Sequence, residues 1–210
     1  MAGPQLHTVV LGDEARGWAD LGFTLTDHAS GSVLRLGNTT ILLTGSGGGF
    51  EGWSIDGIGG SVAGLTATDE SAPGEGVAST HPNGICGIDH IVFHSGDLDA
   101  MVEALGEAGI TASGGRSTDS YGSPMRQVFC WLGDVILELI GPGEDEPVTQ
   151  GPPTFFGLAL WSEDLDDTVA RMGAFAGKPK DAVQEGRRIA GIRGAQLGVA
   201  TPLAVMSPHV

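Results

Sequence analysis

Three stretches of the chain repeat one outline: an alternating apolar run breaks at an acidic residue and gives way to apolar positions at helical spacing. The outline is plainest in GIDHIVFHSGDLDA, residues 87–100. It recurs earlier as QLHTVVLGDEARGW and later as FFGLALWSEDLDDT. A chain that repeats a unit of this size is assembled from copies of one supersecondary element, and that constrains its fold more than any single motif does.

The second copy is the most complete. IDHIVFHS alternates as a half-buried strand does. Asp97 is placed to cap a helix, and Leu98, Met101, Val102 and Leu105 follow as one apolar stripe. Gly106 and Gly109 end it. GITAS reads as a short strand. A Gly- and Ser-rich loop then leads to RQVFCWLG and DVILELIG, two strands joined by a Gly-Asp turn. The unit is β-α-β-β-β over residues 85–142.

In the third copy, residues 154–210, Asp164 caps a helix carrying Leu165, Thr168, Val169 and Met172. AQLGVA and PLAVMSP are the expected closing hairpin, with Pro202 suited only to an edge or a strand start. The first copy lies within residues 1–84 and is abbreviated, its helix DEARGWADLG about one turn shorter. SVLRLG and NTTILLTG form its hairpin, and GWSIDG and AGLTAT in the Gly-rich stretch after it are candidate extra strands.

Three βαβββ units make an α+β chain. With GIDHIVFHSGDLDAMVEALGEAGI and RQVFCWLGDVILELIGP as its strongest segments, the chain resembles the vicinal oxygen chelate superfamily of glyoxalase I, extradiol dioxygenases and bleomycin-resistance proteins. The resemblance implies modules that pair into a curved mixed sheet, a cup of eight strands. It also implies metal ligands on the first and last strand of each module. Those positions fall on His90 and Glu138 in the second unit and on His7 and Leu42 or Leu43 in the first. In the third they fall on Gly157 and Ala204.

If the first two units share a cup, the implied ligand set is His7, His90 and Glu138. Two imidazoles and a carboxylate suit a divalent metal, Fe, Mn, Zn or Ni. If the second and third units share it, only His90 and Glu138 remain, with Gly157 and Ala204 opposite. Alternation puts His90 on the face of Ile88 and Val92, and Glu138 on that of Ile136 and Ile140. Glu138 is also the candidate for proton handling, with Arg126 as the fork for an anionic substrate group. Alternatively, Glu138 faces solvent or pairs with Arg126. His94, four residues beyond His90, lies ~13 Å along the strand and cannot reach the same ion.

Other residues have plainer readings. His81 and Asn83 in HPNGICG lie over the cup mouth or form a simple turn. Tyr121 with Arg126 would belong to a lid. Arg187 and Arg188 are placed for ion pairs at a module or subunit interface, and Trp53, Trp131 and Trp161 for the core or the cup wall. Cys86 and Cys130 are too few for a disulfide framework and read as buried thiols.

Composition narrows the partners. A net charge of −16 repels nucleic acid and anionic membranes; it would favour a cationic ligand, but a solvated acidic surface that keeps the protein soluble is the simpler explanation. No apolar run approaches the ~20 residues of a membrane span, and the first residues have no basic leader, so a cytoplasmic protein is expected. The 36 glycines, far above the usual ~7%, announce many turns. An odd number of modules suggests a homodimer. The resemblance implies one of two functions. One is a divalent-metal-dependent lyase, isomerase or dioxygenase acting on a small oxygen-rich molecule. The other is a metal-free binding protein that sequesters a drug or toxin.

Overall fold

The computed structural model describes residues 3–68, 80–119 and 122–209. The first module comprises β1 (Leu6–Leu11), α1 (Ala15–Asp20), β2 (Thr26–His28), β3 (Gly31–Leu36) and β4 (Thr39–Leu43). The Gly-rich stretch adds β5 (Phe50–Ile55) and a small hairpin of β6 (Ser61–Val62) and β7 (Leu65–Thr66). The second module is β8 (Ile85–His94), α2 (Leu98–Glu107), β9 (Ala112–Thr118), β10 (Met125–Leu132) and β11 (Val135–Pro142). The third is β12 (Thr154–Ser162), α3 (Leu165–Met172), β13 (Lys180–Asp181), β14 (Arg188–Ile192) and β15 (Leu203–Met206).

The strand order carries the repeat. Within each module the first strand lies parallel to the last, as β1 with β4, β8 with β11 and β12 with β15. The spatial orders are β1-β4-β3-β2, β8-β11-β10-β9 and β12-β15-β14-β13. Antiparallel pairing of β8 with β12 joins the second and third modules into one eight-stranded sheet. The cup therefore belongs to modules two and three. In the first module the matching edge of β1 is taken by β5, also antiparallel. The chain fills that edge itself.

Local chemistry starts two of the helices alike. The Asp97 carboxylate accepts from Ala100 N at 3.1 Å, and that of Asp164 from Asp167 N at 3.0 Å. Each satisfies a donor that the first helical turn leaves free. Asp97→Ala and Asp164→Ala should each lower unfolding free energy by about 1 kcal/mol in urea melts. The first module departs from this pattern. Asp13 is buried and accepts instead from Trp18 Nε1 at 3.1 Å and Ala200 N at 2.7 Å, tying the first module to the third.

The third module also departs from expectation. AQLGVA forms a 3-10 turn, Gly194–Leu197, rather than a strand, and β14 comes from the preceding RIAGI. The turn is held by tertiary packing: a Cβ at Gly17 of α1 would stand 2.6 Å from Leu197 O, so the two backbones meet where only glycine fits.

The face of β8 turned away from the cup carries the core. Phe93 packs against Phe50 at 4.9 Å, Trp53 at 5.5 Å and Phe155 at 5.5 Å between ring centroids. These rings join β5 to the two central strands of the large sheet. Cys130 is buried nearby on β10, and burial pushes its thiol pKa up to about 11. It should resist alkylation in the folded protein at neutral pH.

Candidate functional site

The site starts at an irregularity in β8. Its pairing with β12 runs Ala159 to His90 and Leu160 to Ile88, so Asp89 is an extra residue with no partner of its own. Such a bulge breaks strict alternation. Ile88 accordingly joins the core with Ile91 and Phe93, while His90 and Val92 line the cup. The expectation that Ile88 shares the face of His90 is thus corrected. The bulge also lets neighbouring side chains meet, and Asp89 Oδ1 lies 2.8 Å from His90 Nδ1.

Asp89 is wholly buried and is held by the buried Arg187 just before β14, from the other module of the cup. Arg187 also donates to Ser207 O, at 3.0 Å from Nε and 2.6 Å from Nη2, and to Gln184 Oε1 at 2.7 Å. Burial by itself raises the pKa of Asp89. The hydrogen bonds and charges of His90 and Arg187 outweigh it and leave the carboxyl below its usual value.

On the cup side, His90 Nε2 and Glu138 Oε2 converge to 3.4 Å. Gln127 Nε2 donates to the other Glu138 oxygen at 2.6 Å, and Gln127 Oε1 accepts from Arg116 Nε at 2.5 Å. These groups form the polar end of a cavity of about 430 Å³. Its remaining walls are largely apolar, including Val92, Met125, Ile140, Leu158 and Leu203.

The other expected residues lie elsewhere. His7 is on the first sheet, half-exposed, with Nε2 2.6 Å from Asp56 Oδ1. Arg126 turns to the outer face, where Nη1 and Nη2 each hold an Asp99 oxygen at 2.9 Å. That fork keeps its pKa above the usual value and that of Asp99 below. Arg126 is therefore neither a partner of Glu138 nor part of the cup lining. His94 is exposed at the end of β8. His81 is a structural ring: Nδ1 accepts from Thr24 N at 3.1 Å and Nε2 meets Arg35 O at 2.9 Å, while burial lowers its pKa. Asn83 is buried, bonded to Leu21 O and Ile85 N. Trp53 is core and Trp131 is 49% exposed. Tyr121 lies outside the described residues.

Gln127, the residue overlooked beside Glu138, was signalled by the turn. Counting back from Gly133-Asp134 pairs Gln127 with Ile140 and Phe129 with Glu138, which puts Gln127 on the cup face and Arg126 on the other.

A resident divalent metal does not fit the donors present. Catalytic sites ordinarily hold the ion by three protein ligands. Among the described residues no group of three or more His, Cys, Asp or Glu side chains is arranged so that it could hold one metal ion. The two remaining family positions are Gly157 and Ala204, both on the cup wall. At Gly157 the backbone has φ +142°, and a Cβ there would stand 2.5 Å from Pro202 O, so no ligand side chain can occupy the position.

Comparison with known proteins agrees with this architecture. Residues 89–190 match the model of the Glyoxalase/Bleomycin resistance protein/Dioxygenase superfamily. A triple mutant of 4-hydroxymandelate synthase from Streptomyces coelicolor is 12% identical with a TM-score of 0.65, over 98% of this chain and 92% of that one. A xylose isomerase-like TIM barrel/4-hydroxyphenylpyruvate dioxygenase fusion protein has the same identity, 12%, and the same TM-score, 0.65, over 100% of this chain and 49% of its own. Methylmalonyl-CoA epimerase from Mycobacterium tuberculosis is 19% identical with a TM-score of 0.47, covering 65% and 95%. No curated protein matches the sequence. Among the described residues no helix is long and apolar enough to cross a membrane.

Proposed function

We propose, for a chain that belongs over residues 89–190 to the Glyoxalase/Bleomycin resistance protein/Dioxygenase superfamily, a metal-free small-molecule-binding function of the drug- or toxin-sequestering kind. The ligand enters the cup of modules two and three. The observation that carries this reading is Gly157: the third module offers no donor there, and its backbone leaves no room for one. A largely apolar cavity with a few convergent polar groups is the ordinary form of an organic-ligand site.

The line Asp89–His90–Glu138 favours a second reading, the divalent-metal-dependent lyase, isomerase or dioxygenase. A carboxylate behind a histidine is the usual support of a metal-bound imidazole. That reading would need the ion to be held by His90 and Glu138 alone on the protein side.

Metal content separates the two. The chain, exposed in turn to Fe(II), Mn(II), Zn(II) and Ni(II) and then desalted, should retain well under one ion per chain by elemental analysis. Retention of about one ion, lost on Glu138→Ala, would establish the second reading, since a single site holds a single ion.

A further inference from the structure

A second irregularity in the large sheet turns an aromatic ring into the cup. Along β12, Phe155 pairs with Phe93 and Gly157 with the adjacent Val92, so Phe156 is an extra residue with no partner in β8. Counting back from Leu160 and Leu158, which belong to the core, strict alternation would bury Phe156 and turn Phe155 to the cup. The bulge reverses them. Phe155 packs on Phe50 and Phe93, with ring centroids 5.7 Å and 5.5 Å away, and Phe156 lines the cavity. Gly157 permits this path of the backbone, because its φ of +142° is one that side chains rarely adopt.

The ring so placed has little to cover it. Phe156 is 59% exposed and forgoes much of the gain of burying a phenyl group. Among the described residues the large apolar side chains left exposed are Trp131, Val148, Phe156 and Val183, and of these Phe156 lines the cavity. β12 and β10 flank the central strands β8 and β11, and β10 brings Met125 to the same cavity. A methionine sulfur packs favourably on aromatic rings, and its flexible chain adapts to their outline.

We infer that the ligand of the cup carries an aromatic ring system, seated against Phe156 and within reach of Met125, and that Phe156 sets the preference for it. This rests on the metal-free binding reading and gives it a chemical class. Aromatic pairs gain from ring-on-ring contact beyond the area they bury, and an alicyclic body of the same outline does not. A cavity of about 430 Å³ has room for two fused rings.

Two probes of one outline test it by calorimetry on the full chain in the presence of chelator: 2-naphthylmethanol and its saturated counterpart, decahydro-2-naphthylmethanol. Both carry the same hydroxyl, and the saturated probe is the more apolar, so burial alone would favour it. The aromatic probe should nevertheless bind about two- to tenfold tighter. Phe156→Leu should erase this preference and leave the saturated probe within about threefold of its original affinity. Phe156→Tyr, which keeps the ring, should keep the preference. The side chain is largely exposed, so neither substitution removes packing on which the fold depends.

Equal or tighter binding of the saturated probe to the unaltered chain overturns the aromatic assignment while leaving the cup a binding site. A preference that Phe156→Leu leaves unchanged overturns the role of Phe156. If neither probe binds until Zn(II) is added, the metal-free reading falls and the inference falls with it. If neither binds under either condition, the inference is overturned.

Discussion

Arg187→Met should lower unfolding free energy by about 3–5 kcal/mol, the usual consequence of leaving a buried charge without its partner. The variant takes the guanidinium from Asp89, whose side chain is wholly buried, and leaves it the His90 ring at 2.8 Å and the exposed His209 ring at 3.2 Å. It also frees Ser207 O and so loosens the end of the chain from β14. The double variant Asp89→Leu with Arg187→Met should recover much of the loss, because an apolar pair of similar volume carries no desolvation cost. Urea melts of the single and double variants measure both effects. A single variant within 1 kcal/mol of the original chain would mean that the pair is solvated.

Asp89, whose pKa burial raises but His90 and then Arg187 lower by more, also sets a pH dependence. The carboxyl of Asp89 titrates lower folded than unfolded, so its contribution is present above its unfolded pKa, about 3.9. That contribution is lost as pH falls through the lower, folded value. Stability between pH 5 and 3 should therefore decline less steeply in the double variant than in the original chain. Identical slopes would remove Asp89 from the acid response.

Phe93→Ala should cost about 3–5 kcal/mol, as large-to-small changes at packed aromatic positions do. Phe93 is fully buried and touches Phe50 and Trp53 of β5 as well as Phe155 of β12. One side chain thus holds the first sheet to both central strands of the cup sheet. Heat denaturation should show the loss as a lower Tm, and the far-UV spectrum should keep its strand signal. A change below about 1 kcal/mol would place the junction elsewhere.

The repeat was legible because its marks are local. A strand alternates, a capping aspartate follows, and an apolar stripe runs along the helix; Asp97 and Asp164 show these marks and cap as read. The pairing of modules was not legible, because it depends on which edge β8 meets. That edge was settled by β5, a strand drawn from a Gly-rich stretch that gave a weak signal of its own. His90 and Glu138 could be found because they occupy the middle of β8 and the middle of β11, in a family-like pattern.

The faces around these two residues were harder to read. The bulge at Asp89 moves Ile88 into the core and brings a buried carboxylate against the imidazole, and nothing in the alternation of IDHIVF announces an extra residue. Arg187 stood out as a cation in an acidic chain, but its partner lies 98 positions away. The closing strand was misread because RIAGI is short and polar at its start, while the more apolar AQLGVA is bent into a turn by its packing on α1.

The central claim is that the cup takes an organic ligand without a metal. Methyl-resolved NMR of Val92, Ile140 and Leu203, three residues on the cup wall, tests it most directly. With one equivalent of Mn(II) added, these methyl signals should keep their intensity, since paramagnetic broadening needs an ion held nearby. With 2-naphthylmethanol added to the chelator-treated chain, the same signals should shift in a saturable way. Broadening of all three by one equivalent of Mn(II), together with no shift from the alcohol until the metal is present, would contradict the claim.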